Sequence, residues 1–422
     1  MKLNNIGRGA LASILSLAIG LGVTACSRDY TLAYVYVTTS APLSAASSTN
    51  GGVSAFAVDY QSGALTPLAD SPIEAGKKPV TLVVGSASAN GQFVYVVNHD
   101  DSTVMEFSIG TDGKLYLKNT YNTTGSLPTA AAIDAGGKYL YVTNTYQNGP
   151  NNTQLYTAGS PGPGSVTIFP IKADGSLDMT NVLTQNVGNL PVGIVTSKVN
   201  SYVYVLDQEN AATASPLGVI LGYAENTSGG ALTPTTDGTV VLNGVPVLNG
   251  YPAGTTPSAI AEDPSARFVY VTDKATNQLY GYLTGTTGQL ATMTNGPFAT
   301  GTFPVSVTVD PRGKYLYVAN YNDNTVGAYA IDIATGAPVS SVGSATTAVG
   351  TTPTCIAIEP ALGKYLYVSN YLDGTVSGEA LNSHNGGLTA VQNTPFPTSG
   401  LPTCAVAVAN GSYGHPNQII NP

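Results

Sequence analysis

Few side chains in this 422-residue chain can move a proton or hold an anion, because charged residues make up only 9% of it and histidine occurs three times. One histidine stands among acids, in Asn98-His99-Asp100-Asp101. An imidazole beside a carboxylate can activate water, and a nearby cation can hold the oxyanion that forms when water attacks a carbonyl. The candidate cations are Lys77, Lys78 and Lys274, and further candidate acids are Asp100, Asp207 and Glu209. The competing reading of Asn98 to Asp101 is a polar turn whose side chains cap their own backbone.

Other chemistries lack their residues. There is no Trp, no Cys-x-x-Cys-His for covalent haem and no Gly-x-Ser-x-Gly nucleophile elbow, and the glycines sit in turns, not before a phosphate-binding helix. Asn320 to Asn324 and Asn370 to Gly374 offer hard oxygen ligands, yet their spacing departs from a calcium loop, and Asp373-Gly374 is first a hairpin signal. No metal and no cofactor is expected. The formal net charge of −9 becomes −11 once Lys2 and Arg8 leave with a leader peptide. That balance argues against nucleic acid and against electrostatic docking on anionic lipid.

The elements that must position these residues repeat. A strand core, aromatic-aliphatic-Tyr-Val, begins at Tyr34, Phe93, Tyr139, Tyr202, Phe268, Tyr315 and Tyr365. Spacings of roughly 46 to 66 residues suit one four-stranded blade per copy. A proline opens an apolar strand at Pro79, Pro128, Pro191, Pro257, Pro304, Pro353 and Pro402. The two series are offset: the first YVYV has no proline strand before it, and the last proline strand has no YVYV after it. A closed ring resolves this by pairing the C-terminal inner strand with the N-terminal blade, which removes the exposed edges. The expected fold is all-β, a seven-bladed β-propeller over 34–422. Two residues after each proline stands a small side chain, as needed where inner strands converge. Cys355 and Cys404 hold that position on adjacent strands, either as a disulfide or as two small buried thiols.

The sequences YVTN at Tyr141, YVAN at Tyr317 and YVSN at Tyr367, with Asp310-Pro311-Arg312-Gly313-Lys314 before YLYVAN, resemble the YVTN-repeat, lactonase-like seven-bladed propellers. That group includes 6-phosphogluconolactonase. The resemblance covers nearly all of the chain after its leader and implies lactone hydrolysis, with the family's His, Glu and Arg around the channel mouth. That set has no residue-by-residue match here, since Arg267 and Arg312 fall in turns of the opposite face.

The turns that follow YVYV share the expected ligand face with the loops entering the proline strands. Candidate binding residues there are Lys77, Lys78, Asn98, Asn144, Lys274, Asn320, Tyr321, Asp323, Asn370, Tyr371 and Asp373. Loops on that face swell at 38–52, 145–165 and 208–218, through either function or drift.

The N-terminus reads as an export signal: Lys2 and Arg8, an apolar run from Ala10 to Val23, then Val23-Thr24-Ala25-Cys26. The last four resemble a bacterial lipobox, which implies cleavage before Cys26 and acylation of its thiol. The expected division is a signal peptide over 1–25, an anchor linker over 26–33 and the propeller. The expected location is the cell envelope, lipid-anchored at the outer membrane. Two functions are in contention. The first is a monomeric binding scaffold whose ligand face takes a protein, glycan or small molecule, with the membrane reached only through the anchor. The alternative is a lactone hydrolase acting through His99 and nearby acids.

Overall fold

The computed structural model describes residues 31–43, 49–85, 91–147, 163–208, 218–236, 240–242, 245–247, 249–340 and 346–411. Among them there are strands and turns and no α-helix, and they build a seven-bladed β-propeller. We number the blades by their inner strands: Pro79–Val84, Gly125–Ile133, Pro191–Thr196, Pro257–Glu262, Pro304–Val309, Pro353–Ile358 and Pro402–Ala409. Each inner strand pairs antiparallel with a YVYV strand, which pairs with a third strand and then an outer one. In blade 1, for example, Pro79–Val84 is followed outward by Gln92–Asn98, Thr103–Ile109 and Leu115–Asn122. Proline suits the first residue of six inner strands because it needs no ladder donor there; in blade 2 the strand begins earlier, at Gly125, and Pro128 lies within it.

The YVYV strands are buried on both faces, with Tyr36, Tyr95, Tyr141, Tyr204, Tyr270, Tyr317 and Tyr367 all at 0% exposure. Such a strand must be apolar on both sides, since each face meets a neighbouring blade. The clusters run between blades accordingly. Tyr139 and Tyr141 pack with Val203 and Val205, and Tyr365 and Tyr367 pack with Val35 and Val37 across the seam.

Each buried tyrosine also stitches its blade to the next. The seven hydroxyls donate to the carbonyls of Gly113, Gly175, Gly230, Gly288, Gly336, Gly386 and Gly63, at 2.6–3.2 Å. All seven glycines have positive φ, from 71 to 85°. Glycine is doubly required there. Only it adopts that conformation freely, and a Cβ on Gly230 would stand 2.5 Å from the Tyr139 ring. The repeated contact explains why the core reads Tyr and not Phe at its third position, because a buried hydroxyl needs a partner.

The ring closes as the offset of the two series requires. Thr31–Thr39 pairs with Asn50–Asp59 on one side and with Pro402–Ala409 on the other, so blade 7 joins both ends of the chain. Its YVYV strand begins at Thr31, so the last three residues assigned to the linker belong to the fold. Cys355 and Cys404 form a disulfide between the inner strands of blades 6 and 7, with Cα atoms 4.9 Å apart. The leader, Cys26 and His415 lie outside the described residues, as do 44–48, 148–162 and 209–217 of the swollen loops.

Candidate functional site

The turn after each YVYV strand is tied back to the start of its own inner strand. The N–H groups of His99, Gln208, Lys274, Tyr321, Tyr371 and Ser40 donate to the carbonyls of Lys78, Leu190, Thr256, Phe303, Thr352 and Leu401, at 2.8–3.1 Å. In blade 2 the strand Tyr139–Gln147 runs on instead, pairing Asn144 with Pro128 and Tyr146 with Ser126. This one bond, repeated around the ring, sets those six residues at equivalent places about one mouth of the channel.

Several sequence candidates are spent on building that mouth. Asn98, Asn144, Asp207, Asn320 and Asn370 are all at 0% exposure. Asn98 accepts from Gly76 N–H and donates to Thr103 Oγ1, and Asn320 and Asn370 donate to Thr325 and Thr375 in the same way. Asn144 donates to Thr167 Oγ1 at 3.0 Å, and Asp207 accepts from Leu190 N–H at 2.8 Å. Asp323 and Asp373 are exposed, yet each accepts the N–H of a loop residue, Thr302 at 2.6 Å and Thr351 at 2.5 Å. The Thr351 N–H holds the Asp373 carboxyl below its ordinary range. These residues hold the loops that enter the inner strands.

The residues left facing solvent fall in two sectors. In blade 1 the geometry brings Lys77, Lys78, His99, Asp100 and Asp101 together. His99 Nδ1 lies 2.5 Å from Asp100 Oδ1, and Lys78 Nζ lies 3.9 Å from the same oxygen. Lys77 Nζ is 3.7 Å from Asp101, whose other oxygen accepts the Lys77 N–H at 2.6 Å. With Nδ1 donating to a carboxylate, Nε2 is left as the basic nitrogen. The same turn borders a cleft of about 530 Å³ lined by Asn50, Glu74, Asp101, Met105, Leu117 and Thr120.

The second sector spans blades 4 to 6. Lys274 Nζ lies 5.7 Å from the centre of the Phe303 ring, which meets Tyr321 at 5.7 Å, and Tyr371 holds the equivalent place in blade 6. Burial pushes the Lys274 ammonium below its ordinary range, against the opposing pull of Asp273. Asp207 stands two blades along from His99 and is not brought to it, and Glu209 lies outside the described residues. Among the described residues, no three His, Cys, Asp or Glu side chains are grouped to hold a metal ion.

A signal missed in the sequence explains why the asparagines are buried. Glycine stands three residues before six of the seven prolines, at Gly76, Gly125, Gly188, Gly254, Gly301 and Gly350. A Cβ on Gly301 or Gly350 would lie 2.6 Å from the Asn320 or Asn370 carboxamide. The Gly-x-x-Pro spacing and the Asn of YVxN are therefore two halves of one contact.

With this fold and mouth, the chain belongs to the family described as "Lactonase, 7-bladed beta-propeller", which matches residues 34–193 and 225–358. Among solved structures it is similar to the periplasmic gluconolactonase PpgL of Pseudomonas aeruginosa, at 19% identity and TM-score 0.67, covering 90% of this chain and 99% of that one. It is also similar to a Bacteroides fragilis protein named as a candidate 6-phosphogluconolactonase, at 21% identity and TM-score 0.64, covering 91% and 99%. At these identities the likeness shows the fold alone. No curated protein matches the chain on sequence.

Proposed function

We propose that this protein hydrolyses a lactone at the blade 1 sector of the channel mouth, with His99 as general base, Asp100 orienting it and Lys78 facing the developing oxyanion. The observation that carries this reading is the 2.5 Å contact between His99 Nδ1 and Asp100, in a chain of the lactonase family. Family membership supports this alternative over the binding scaffold that the sequence ranked first.

In the proposed step, His99 Nε2 takes a proton from water as the water oxygen bonds to the lactone carbonyl carbon. The electron pair of the C=O bond moves to oxygen, where Lys78 stabilises it. The carbonyl then reforms, the ring C–O bond breaks, and the imidazolium returns its proton to the leaving alkoxide. Water is the only co-reactant.

The test is hydrolysis of glucono-1,5-lactone and its 6-phosphate by the purified chain from Ser27 onward, read against the spontaneous rate. Turnover lost in His99→Ala supports the proposal, and a folded protein without turnover on either lactone removes it. Envelope placement through an acylated Cys26 is part of the same proposal. Incorporation of a labelled fatty acid, abolished in Cys26→Ser, tests it.

A further inference from the structure

The opposite end of the channel has a different chemistry. Where the inner strands end there is a cavity of about 420 Å³, within the roughly 300–1,000 Å³ range of small-molecule sites. Its wall is aliphatic on strand after strand: Val83 and Val84, Ala132 and Ile133, Ile356 and Ile358. The polar side chains in the wall are Thr196, Thr308 and one cation, Lys198. These aliphatic side chains can take the apolar part of a guest, while the few polar groups fix its orientation.

Charge around this mouth is distributed to suit an anion. The turns that leave the inner strands carry Lys138, Lys198, Arg267, Arg312, Lys314 and Lys364. Their acids are turned inward onto backbone: Asp134, Asp263, Asp310 and Glu359 are buried and each accepts the N–H five positions on. Arg267, Arg312 and Lys364 are held by their own contacts, on Phe268, Asp310 and Tyr365. Lys198 is the cation that reaches the cavity wall. Beside it, Glu262 is 7% exposed and accepts the Lys198 N–H at 2.7 Å through Oε2, while Oε1 is buried without a partner among the described residues. At the equivalent place the other inner strands carry Val84, Ile133, Thr196, Val309, Ile358 and Ala407.

We infer that this end of the channel is a binding site for a free long-chain aliphatic carboxylate, with the chain along the Val, Ala and Ile wall and the carboxylate at Lys198. The site is separate from the His99 mouth and does not depend on the lactonase reading.

Calorimetric titration of the purified chain with sodium dodecanoate, kept below its micelle concentration, tests this. One molecule is expected to bind per chain, with Lys198→Met weakening binding about tenfold or more and Lys198→Arg retaining it. Ala132→Phe and Ala407→Phe, on blades 2 and 7, are each expected to block the channel and abolish binding while thermal unfolding stays cooperative. Having two variants guards against one failing to fold. His99→Ala is expected to bind as the parent does. Absent saturable binding, or binding that survives both phenylalanine variants, would overturn the inference. So would equal affinity for dodecyltrimethylammonium, or attachment to phosphatidylglycerol vesicles that dodecanoate fails to compete with, since either assigns this face to something other than a carboxylate in the channel.

Discussion

Cys355 and Cys404 are 49 residues apart in the chain and bonded across blades 6 and 7, beside the seam where the two ends of the chain are paired. A ring closed only by hydrogen bonds between its first and last strands can open there. The bond shuts the 49-residue segment that would have to swing away. Chain-entropy reasoning gives a stabilisation of roughly 4 kcal/mol for a loop of that length. Reduction, or Cys404→Ser, is expected to lower the urea midpoint by an amount worth about 2–4 kcal/mol. Free thiols titrating in the native, unreduced protein would refute this.

Glu262 makes stability depend on pH. Burial pushes its carboxyl up to about 7, against the bond from Lys198 N–H. A carboxyl whose folded value exceeds its unfolded value binds more protons folded than unfolded, so its contribution is complete below about 4.5 and is lost as pH rises through 7. The loss is on the order of 3 kcal/mol. Glu262→Gln is expected to leave stability at pH 4.5 little changed and to raise it at pH 8. Urea unfolding at the two values measures the difference, and equal slopes in parent and variant would contradict the assignment.

Glu379 gives a parallel case with a structural rationale of its own. At the third-strand position facing Val35, Val94, Leu140, Val203, Val269 and Leu316, six blades carry Phe56, Phe107, Phe169, Tyr223, Tyr282 and Tyr329. The sixth blade places Glu379 there, opposite Leu366, and burial pushes its carboxyl up to about 7. Glu379→Phe restores the repeat and removes a buried acid. It is expected to stabilise the protein at pH 8 by about 2–3 kcal/mol and by less at pH 4.5. A variant equally stabilised at both values would show packing alone at work.

The ring was readable from the sequence because its two markers, YVYV and the strand-opening proline, are each imposed by burial on both faces and by convergence at the axis. Closure followed from their offset. The site was much less readable. Asn320 and Asn370 look like binding residues because they are polar and lie at strand ends, but their carboxamides fill space left by Gly301 and Gly350. Two distant positions that specify one contact give no periodic signal unless both are examined together. His99 stood out because histidine is rare here. Its bond to Asp100 and its nearness to Lys78 depend on how the loop entering the inner strand folds back, and local sequence does not encode that. Glu262 was hidden for the opposite reason: a single acid in an apolar strand resembles ordinary variation until the strand is seen to be buried.

Asn370→Ala tests the structural assignment directly. It removes bonds to Thr375 and Ser377 at 3.1 and 2.9 Å and opens a space beside Gly350. A destabilisation of about 2 kcal/mol is expected, with lactone turnover per folded molecule unchanged. Lost turnover in a sample of parental stability would return Asn370 to the binding set.

The blade 1 sector makes the sharpest kinetic prediction, because its members have different roles. Removing the base by His99→Ala is expected to lower kcat about 10²- to 10⁴-fold, the usual range for a positioned proton acceptor. Lys78→Met removes charge from the developing oxyanion alone, so kcat and kcat/KM are expected to fall together, by up to about 10²–10³. Asp100→Asn keeps the geometry near His99 Nδ1 but takes away the carboxylate that fixes the tautomer, so kcat is expected to fall with KM nearly unchanged. Lys274→Met, in the opposite sector, is expected to raise KM for the phosphorylated lactone more than for the neutral one, if substrate spans the mouth. A His99→Ala enzyme with parental kcat would move catalysis out of blade 1, and Lys274, half-buried against Phe303, would then be the next side chain to vary.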